Sequence, residues 1–183
     1  FLKLTGKPTK LSSMVYDEIK KIDVSSKWNA EFGFQKIPLL SEIVELLDSN
    51  QIILNIEIKS TGFFPTKIVE NVNNFITKHK LEKRSIVSSF NPLIIRKIKT
   101  ISPYIFTSLI WSRNEVPFFL NWYRPLYYIC KPNGFHPDKL FTDKNLVKWA
   151  KSKKLPICVF TVNTKAELDR LIQLGVNGVF TDN

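Results

Sequence analysis

Strand-like and helix-like segments alternate about six times along this chain, and that alternation restricts its possible folds more than any other feature. QIILNIEI (51–58) is apolar and β-branched and reads as a buried strand. Residues 66–80 place Ile68, Val69, Val72, Phe75 and Ile76 at helical spacing. SIVSSF (85–90) is a second strand. Asn91 and Pro92 then open a helix holding Leu93, Ile94, Ile98 and Ile101, with Pro92 suited to its first turn. IFTSLIW (105–111) is a third strand. The aromatic-rich stretch 113–124 is less regular and reads as a short helix plus loop, followed by a short strand at 127–130. Residues 142–153 form a helix, with Thr142 as N-cap and Leu146, Val147 and Ala150 facing inward. PICVFT (156–161) is a strand, 165–174 a helix stopped by Gly175, and VNGVFT (176–181) a last short strand. Residues 1–40 hold no strong strand, only a short helix near 16–22 between loops.

Short connections between alternating elements mean a parallel α/β sheet. An open doubly wound sheet and a (β/α) barrel both satisfy the pattern. Glycine is scarce, at 6, and no glycine-rich loop follows a strand, which disfavours a nucleotide-binding doubly wound sheet. No linker or low-complexity tract interrupts the chain, so residues 1–183 read as a single domain. With 183 residues and 44% hydrophobic content the chain can bury a core and is not a disordered polymer. Its longest apolar runs stop well short of the roughly 18 residues a membrane span requires, so no transmembrane segment is expected. Cys130 and Cys158 lie in apolar segments and read as buried free thiols. The net charge is +11, mostly from scattered lysines, as an AT-rich coding sequence would give. No dense Lys/Arg block interleaves with aromatics, so nucleic acid is not an expected partner, while a functional basic face stays open.

The segment that carries chemistry is NIEIK (55–59). Side chains alternate along a strand, so Asn55, Glu57 and Lys59 point one way and Leu54, Ile56 and Ile58 the other. In a barrel the apolar set meets the helices, and the polar set lines the interior at the C-terminal pole, where barrel active sites lie. A carboxylate can hold a divalent cation there, and a lysine can neutralise a phosphate oxygen. Spacing alone fits an interior Glu57–Lys59 salt bridge equally well.

IPLLSEIVELLDSNQIILNIEIK (37–59) resembles a conserved block of the glycerophosphodiester phosphodiesterase family. SIVSSFNPLIIRKIKTISPYI (85–105) and LPICVFTVNTKAELDRLIQLGVNGVFTDN (155–183) resemble two further blocks, in the family's order. Residues 5–23 look like the region after the family's second catalytic histidine. The resemblance spans nearly the whole chain. It implies a TIM-type (β/α)8 barrel that uses a divalent metal, Mg²⁺ or Ca²⁺, to cleave glycerophosphodiesters into an alcohol and glycerol 3-phosphate. It makes Glu57 a metal ligand and Lys59 a phosphate contact. It places Phe160, where the family carries a tryptophan, near the glycerol end of the site. Asn55, Trp111 and His136 are candidate substrate contacts, although Trp111 also fits core or rim packing.

The family's HRG and HD motifs, with its two acid/base histidines and two further metal ligands, are absent from the sequence. The histidines present are His79, at the end of an amphipathic helix and read as a surface residue, and His136, in the loop GFHPD. Asp182 reads as a loop or capping residue, and Thr161 and Asn163 as turn residues close to the site. The opening FLKLTGKPTK has no initiator Met and no leader pattern, and reads as the interior of a longer protein. The expectation is about six of eight barrel strands, the first two being missing. Such a chain is expected to be inactive alone. It could be a fragment, one half of a split gene whose N-terminal part is made separately, or a non-catalytic remnant binding an anionic ligand or partner. The compartment stays open between cytosol and export.

Overall fold

The computed structural model describes residues 13–25, 30–47, 52–59, 62, 64, 67–115 and 122–182. The chain forms two compact units, Phe1–Ile52 and Ile53–Asn183. The first holds helix α1 (Tyr16–Ile19), a 3₁₀ turn at Ala30–Phe32 and helix α2 (Leu40–Leu46). Asp23 organises its loops: Oδ1 accepts from the Ser25 backbone and hydroxyl at 3.0 and 2.7 Å and from the Gln35 N–H at 3.1 Å. Glu42 reaches back to the Leu39 N–H at 2.7 Å, which secures the start of α2.

The second unit is a β/α repeat: β1 (Leu54–Glu57), α3 (Ile68–Lys78), β2 (Ser85–Ser89), α4 (Pro92–Ile101), β3 (Phe106–Trp111), α5 (Tyr123–Cys130), β4 (Gly134–Pro137), α6 (Lys144–Ser152), β5 (Cys158–Val159), α7 (Lys165–Leu174) and β6 (Gly178–Val179). Strands β1 to β4 pair in sequence order, all parallel, and β5 pairs with β6. Parallel bridges Phe135–Ile157 and Asp138–Phe160 join β4 to β5. The six strands therefore run in one direction and in chain order. Among the described residues this ladder does not close, as expected of an incomplete TIM-type barrel.

Local chemistry explains most of the helix ends. Asn91 accepts from the Leu93 N–H at 2.9 Å with Pro92 in the first turn of α4. Thr164 caps α7, which stops at Gly175 with φ 76°. Three expectations need correcting. Residues 127–130 are the end of α5 and not a strand: Leu126 and Cys130, four apart, share its buried face, and this helical period outweighs the β preference of Tyr and Ile. The α6 cap is Asp143, which accepts from Leu146 N–H at 2.7 Å, while Thr142 donates to the Asp138 carbonyl at 2.7 Å. Residues 134–137 are strand β4 and not loop. Its opening Gly134 lies so close to β3 that a Cβ there would sit 2.6 Å from Ser108 Oγ.

Between the sheet's outer face and the helices lies the core, where Leu109, Trp111, Phe135 and Val159 pack against Ile95, Leu126, Leu146, Ala150 and Leu171. Cys130 is buried there, and burial pushes its thiol up to about 12. Cys158 is only partly buried, and no disulfide joins the two. No described helix is long and apolar enough to cross a membrane.

Candidate active site

Parallel register settles which side chains share a face. Neighbours in register point the same way, so Glu57 lies beside Ser88, Ser88 beside Ser108, and Ile110 beside His136. This inner face carries Asn55 and Glu57 from β1, Ile110 from β3 and His136 from β4. Lys59, Phe90, Phe160, Thr161 and Phe180 follow the ends of β1, β2, β5 and β6, and Glu115 follows β3. All of them line one cavity of about 370 Å³ at the C-terminal pole. Five of the six residues expected at the site, Asn55, Glu57, Lys59, His136 and Phe160, thus meet in one place.

Trp111 is the exception. It stands one residue beyond Ile110, so it faces the helices, is 1% exposed, and packs against Tyr123 and Phe141 at 5.1 and 5.9 Å between ring centroids. Of the two roles read for it, core packing is the one it has, and a substrate wall is closed to a residue on the outer face. His79 packs against Phe75 with the rings tilted and their centroids 4.3 Å apart, just past the C-terminal end of α3 and at the pole opposite the cavity.

Within the cavity, Lys59 Nζ lies 3.2 Å from Glu57 Oε1, and the lysine side chain is 82% exposed. So exposed a pair is worth at most about 1 kcal/mol. The ammonium can leave Glu57 for an incoming anion at little cost. His136 is buried, its ring edge-on to Phe180 at 4.8 Å, and burial holds the imidazole down to about 4. It is therefore neutral at pH 7, a hydrogen-bonding group and not a cation. Phe160 meets Phe90 edge-on at 6.0 Å, which gives the cavity an apolar wall. Asn163 donates to Asp182 at 3.1 Å and accepts from its N–H at 3.0 Å, tying the loops after β5 and β6 together. Among the described residues no three His, Cys, Asp or Glu side chains gather to hold a metal. The described residues therefore do not fit a complete divalent-metal site; Glu57 and Glu115 are the two carboxylates among them that line the cavity, and no third described group joins them.

Sequence reasoning missed Phe90, Ile110, Glu115 and Phe180. Counting by twos from the paired strands finds Ile110, Phe90 and Phe180. No periodic signal marks Glu115, which lies in an irregular turn.

Parallel strands with their polar residues gathered at the C-terminal ends define the class: a barrel-type enzyme scaffold. The fold matches a solved structure from Silicibacter pomeroyi DSS-3, with a TM-score of 0.81 at 22% identity, over 98% of this chain and 68% of that one. It also matches a phosphodiesterase of Oleispira antarctica solved with its product sn-glycerol-3-phosphate, with a TM-score of 0.76 at 23% identity, over 100% of this chain and 72% of that one. A glycerophosphodiester phosphodiesterase of Caldanaerobacter subterraneus subsp. tengcongensis is 30% identical over 167 residues, 91% of this chain and 67% of the relative. The family model for glycerophosphoryl diester phosphodiesterases matches residues 2–183, and the chain belongs to that family of phosphoric diester hydrolases.

Proposed function

We propose that this chain supplies the phosphate- and glycerol-binding side of a site that cleaves glycerophosphodiesters to an alcohol and glycerol 3-phosphate. The observation that carries this reading is the meeting of Asn55, Glu57 and Lys59 with His136 and Phe160 in one cavity at the C-terminal pole. Lys59 meets a phosphate oxygen and offsets its charge as water attacks phosphorus. The Asn55 amide and the neutral His136 hydrogen-bond the diester. Phe160 and Phe90 cover the glycerol carbons. Glu57 contributes one oxygen toward a Mg²⁺ or Ca²⁺ ion, and a site for that ion requires further ligands from elsewhere. The leaving alkoxide must gain a proton, and His136, the imidazole among the described residues that line the cavity, is neutral at pH 7 and not the imidazolium that would give one readily. General acid–base catalysis contributes about 10²–10⁴-fold. By themselves these 183 residues therefore bind product without useful turnover, and groups outside them, such as those of an N-terminal segment, supply the proton-moving side chains.

Two measurements test this. Titration calorimetry with sn-glycerol 3-phosphate should show binding that Lys59→Ala weakens by about tenfold or more, the usual worth of a charge-assisted contact. No heat at millimolar ligand would remove the binding reading. Glycerophosphocholine incubated with the chain and added Mg²⁺ or Ca²⁺ should stay intact. Turnover that Glu57→Gln abolishes would show instead that the chain holds a complete site.

A further inference from the structure

We propose that the N-terminal pole of the sheet, opposite the cavity, is a docking face for an anionic phospholipid bilayer. In a parallel β/α repeat every helix ends, and every following strand begins, at this one pole. Lys78 ends α3, with Lys80 and Lys83 between it and β2; Lys131 lies between α5 and β4; Lys151 is in the last turn of α6, with Lys154 between α6 and β5. The only acidic residue on these connections is Glu82. Among the described residues none of these lysines forms an ion pair; at the cavity pole Lys59, Lys139 and Lys165 are paired with carboxylates, while Lys67 and Lys144 there form no ion pair.

Helix dipoles favour a cation at each C-terminus. That effect accounts for one lysine per helix end, such as Lys78, and not for Lys80 and Lys83 on the connection after it. Lys80, Lys131 and Lys154 also hold φ of 56°, 45° and 56°, the left-handed region that Gly175 occupies at the end of α7. Two tyrosines stand among the lysines: Tyr104 is 70% and Tyr128 59% exposed, and Lys153 Nζ lies 5.4 Å from the Tyr128 ring. A phenol with an apolar body and a polar tip suits a membrane interface. The cations here are lysines, apart from Arg84. Lysine is a point charge suited to diffuse attraction by lipid headgroups, while base-edge reading in nucleic acid favours the arginine fork. A bilayer at this pole leaves the cavity facing water. The substrate would then be a soluble, deacylated diester; that clause rests on the function proposed above, and the docking does not.

The test is co-sedimentation of the whole chain with vesicles of phosphatidylcholine alone, or of equal parts phosphatidylcholine and phosphatidylglycerol. The chain should pellet with the anionic vesicles only, and less so as salt rises. Lys→Gln at 83, 131, 151 or 154 should each lower the partition coefficient about fivefold. Tyr104→Ser should lower it without a change of charge. Lys→Gln at 144, 148 or 165, away from this pole, and Lys59→Ala should leave it unchanged, so failure here is separable from failure of glycerol 3-phosphate binding. Absence of binding, equal binding to neutral vesicles, or no loss in the pole variants would overturn the proposal. So would tighter binding to a duplex oligonucleotide that the same substitutions abolish.

Discussion

The cavity pole and the opposite pole are built by the same β/α repeat, yet they handle charge differently. At the cavity pole three lysines meet carboxylates, Lys59 with Glu57 at 3.2 Å, Lys139 with Glu167 at 2.6 Å and Lys165 with Asp169 at 3.3 Å, while Lys67 and Lys144, at the starts of α3 and α6, form no ion pair among the described residues. At the other pole Lys80, Lys131 and Lys154 end helices with no such partner among the described residues. The difference follows from what supplies the side chains. For Glu57 and Lys59 in the cavity a strand end does, and a period of two with fixed register selects polar residues one face at a time, while Lys139, Lys165, Glu167 and Asp169 come from the turn after β4 and the first turns of α7. Across the sheet, helix ends do, where dipoles draw cations and a turn places each side chain in water. One topology thus makes a selective concave site on one side and a diffuse cationic surface on the other.

The largest expected effect tests whether the cavity belongs to the inner face alone. Trp111→Ala should cost about 3–5 kcal/mol in chemical denaturation, since it removes a fully buried ring. Glycerol 3-phosphate affinity of the protein that stays folded should not change. A weakened affinity would return Trp111 to the site and blur the line between the faces. His136 gives the next largest effect, because it lines both the active-site cavity and a second, apolar cavity toward the opposite pole. Its imidazole titrates near 6.5 when unfolded and near 4 when folded, because burial penalises the charged form. The unfolded chain then binds the extra proton first. Stability from this group is whole above pH 6.5 and falls by about 3 kcal/mol as pH drops toward 4. His136→Gln should flatten that slope in denaturant midpoints measured between pH 7 and pH 4; an unchanged slope would assign the acid sensitivity to other groups. The smallest effect lies at the far pole. Lys154→Gly should stabilise by about 1 kcal/mol, since glycine accepts the left-handed conformation that lysine resists. A loss of stability there would mean that the ammonium is held by the fold and is not simply displayed.

The alternation of strands and helices, the strand that carries Asn55, Glu57 and Lys59, and the caps of α4 and α7 were legible because each rests on a local signal: periodicity, Asn-Pro or Gly. Strand β4 was not, because Gly134 and Pro137 bound it like a loop and its glycine answers to Ser108, 26 residues away in the chain. The end of α5 was misread because Tyr and Ile favour strands, and only packing of Leu126 and Cys130 against the sheet decides for helix.

By itself the sequence determined the parallel β/α class, the family's ordered blocks and the polar parity of residues 55–59, because periodicity and capping are properties of short segments. The tertiary structure alone decided that Trp111 turns to the helices while Ile110 and His136 turn to the cavity, since that depends on register between strands. It alone also gathered lysines scattered over more than 70 residues, from Lys78 to Lys154, onto one pole, because parallel topology returns every helix end to the same side of the sheet.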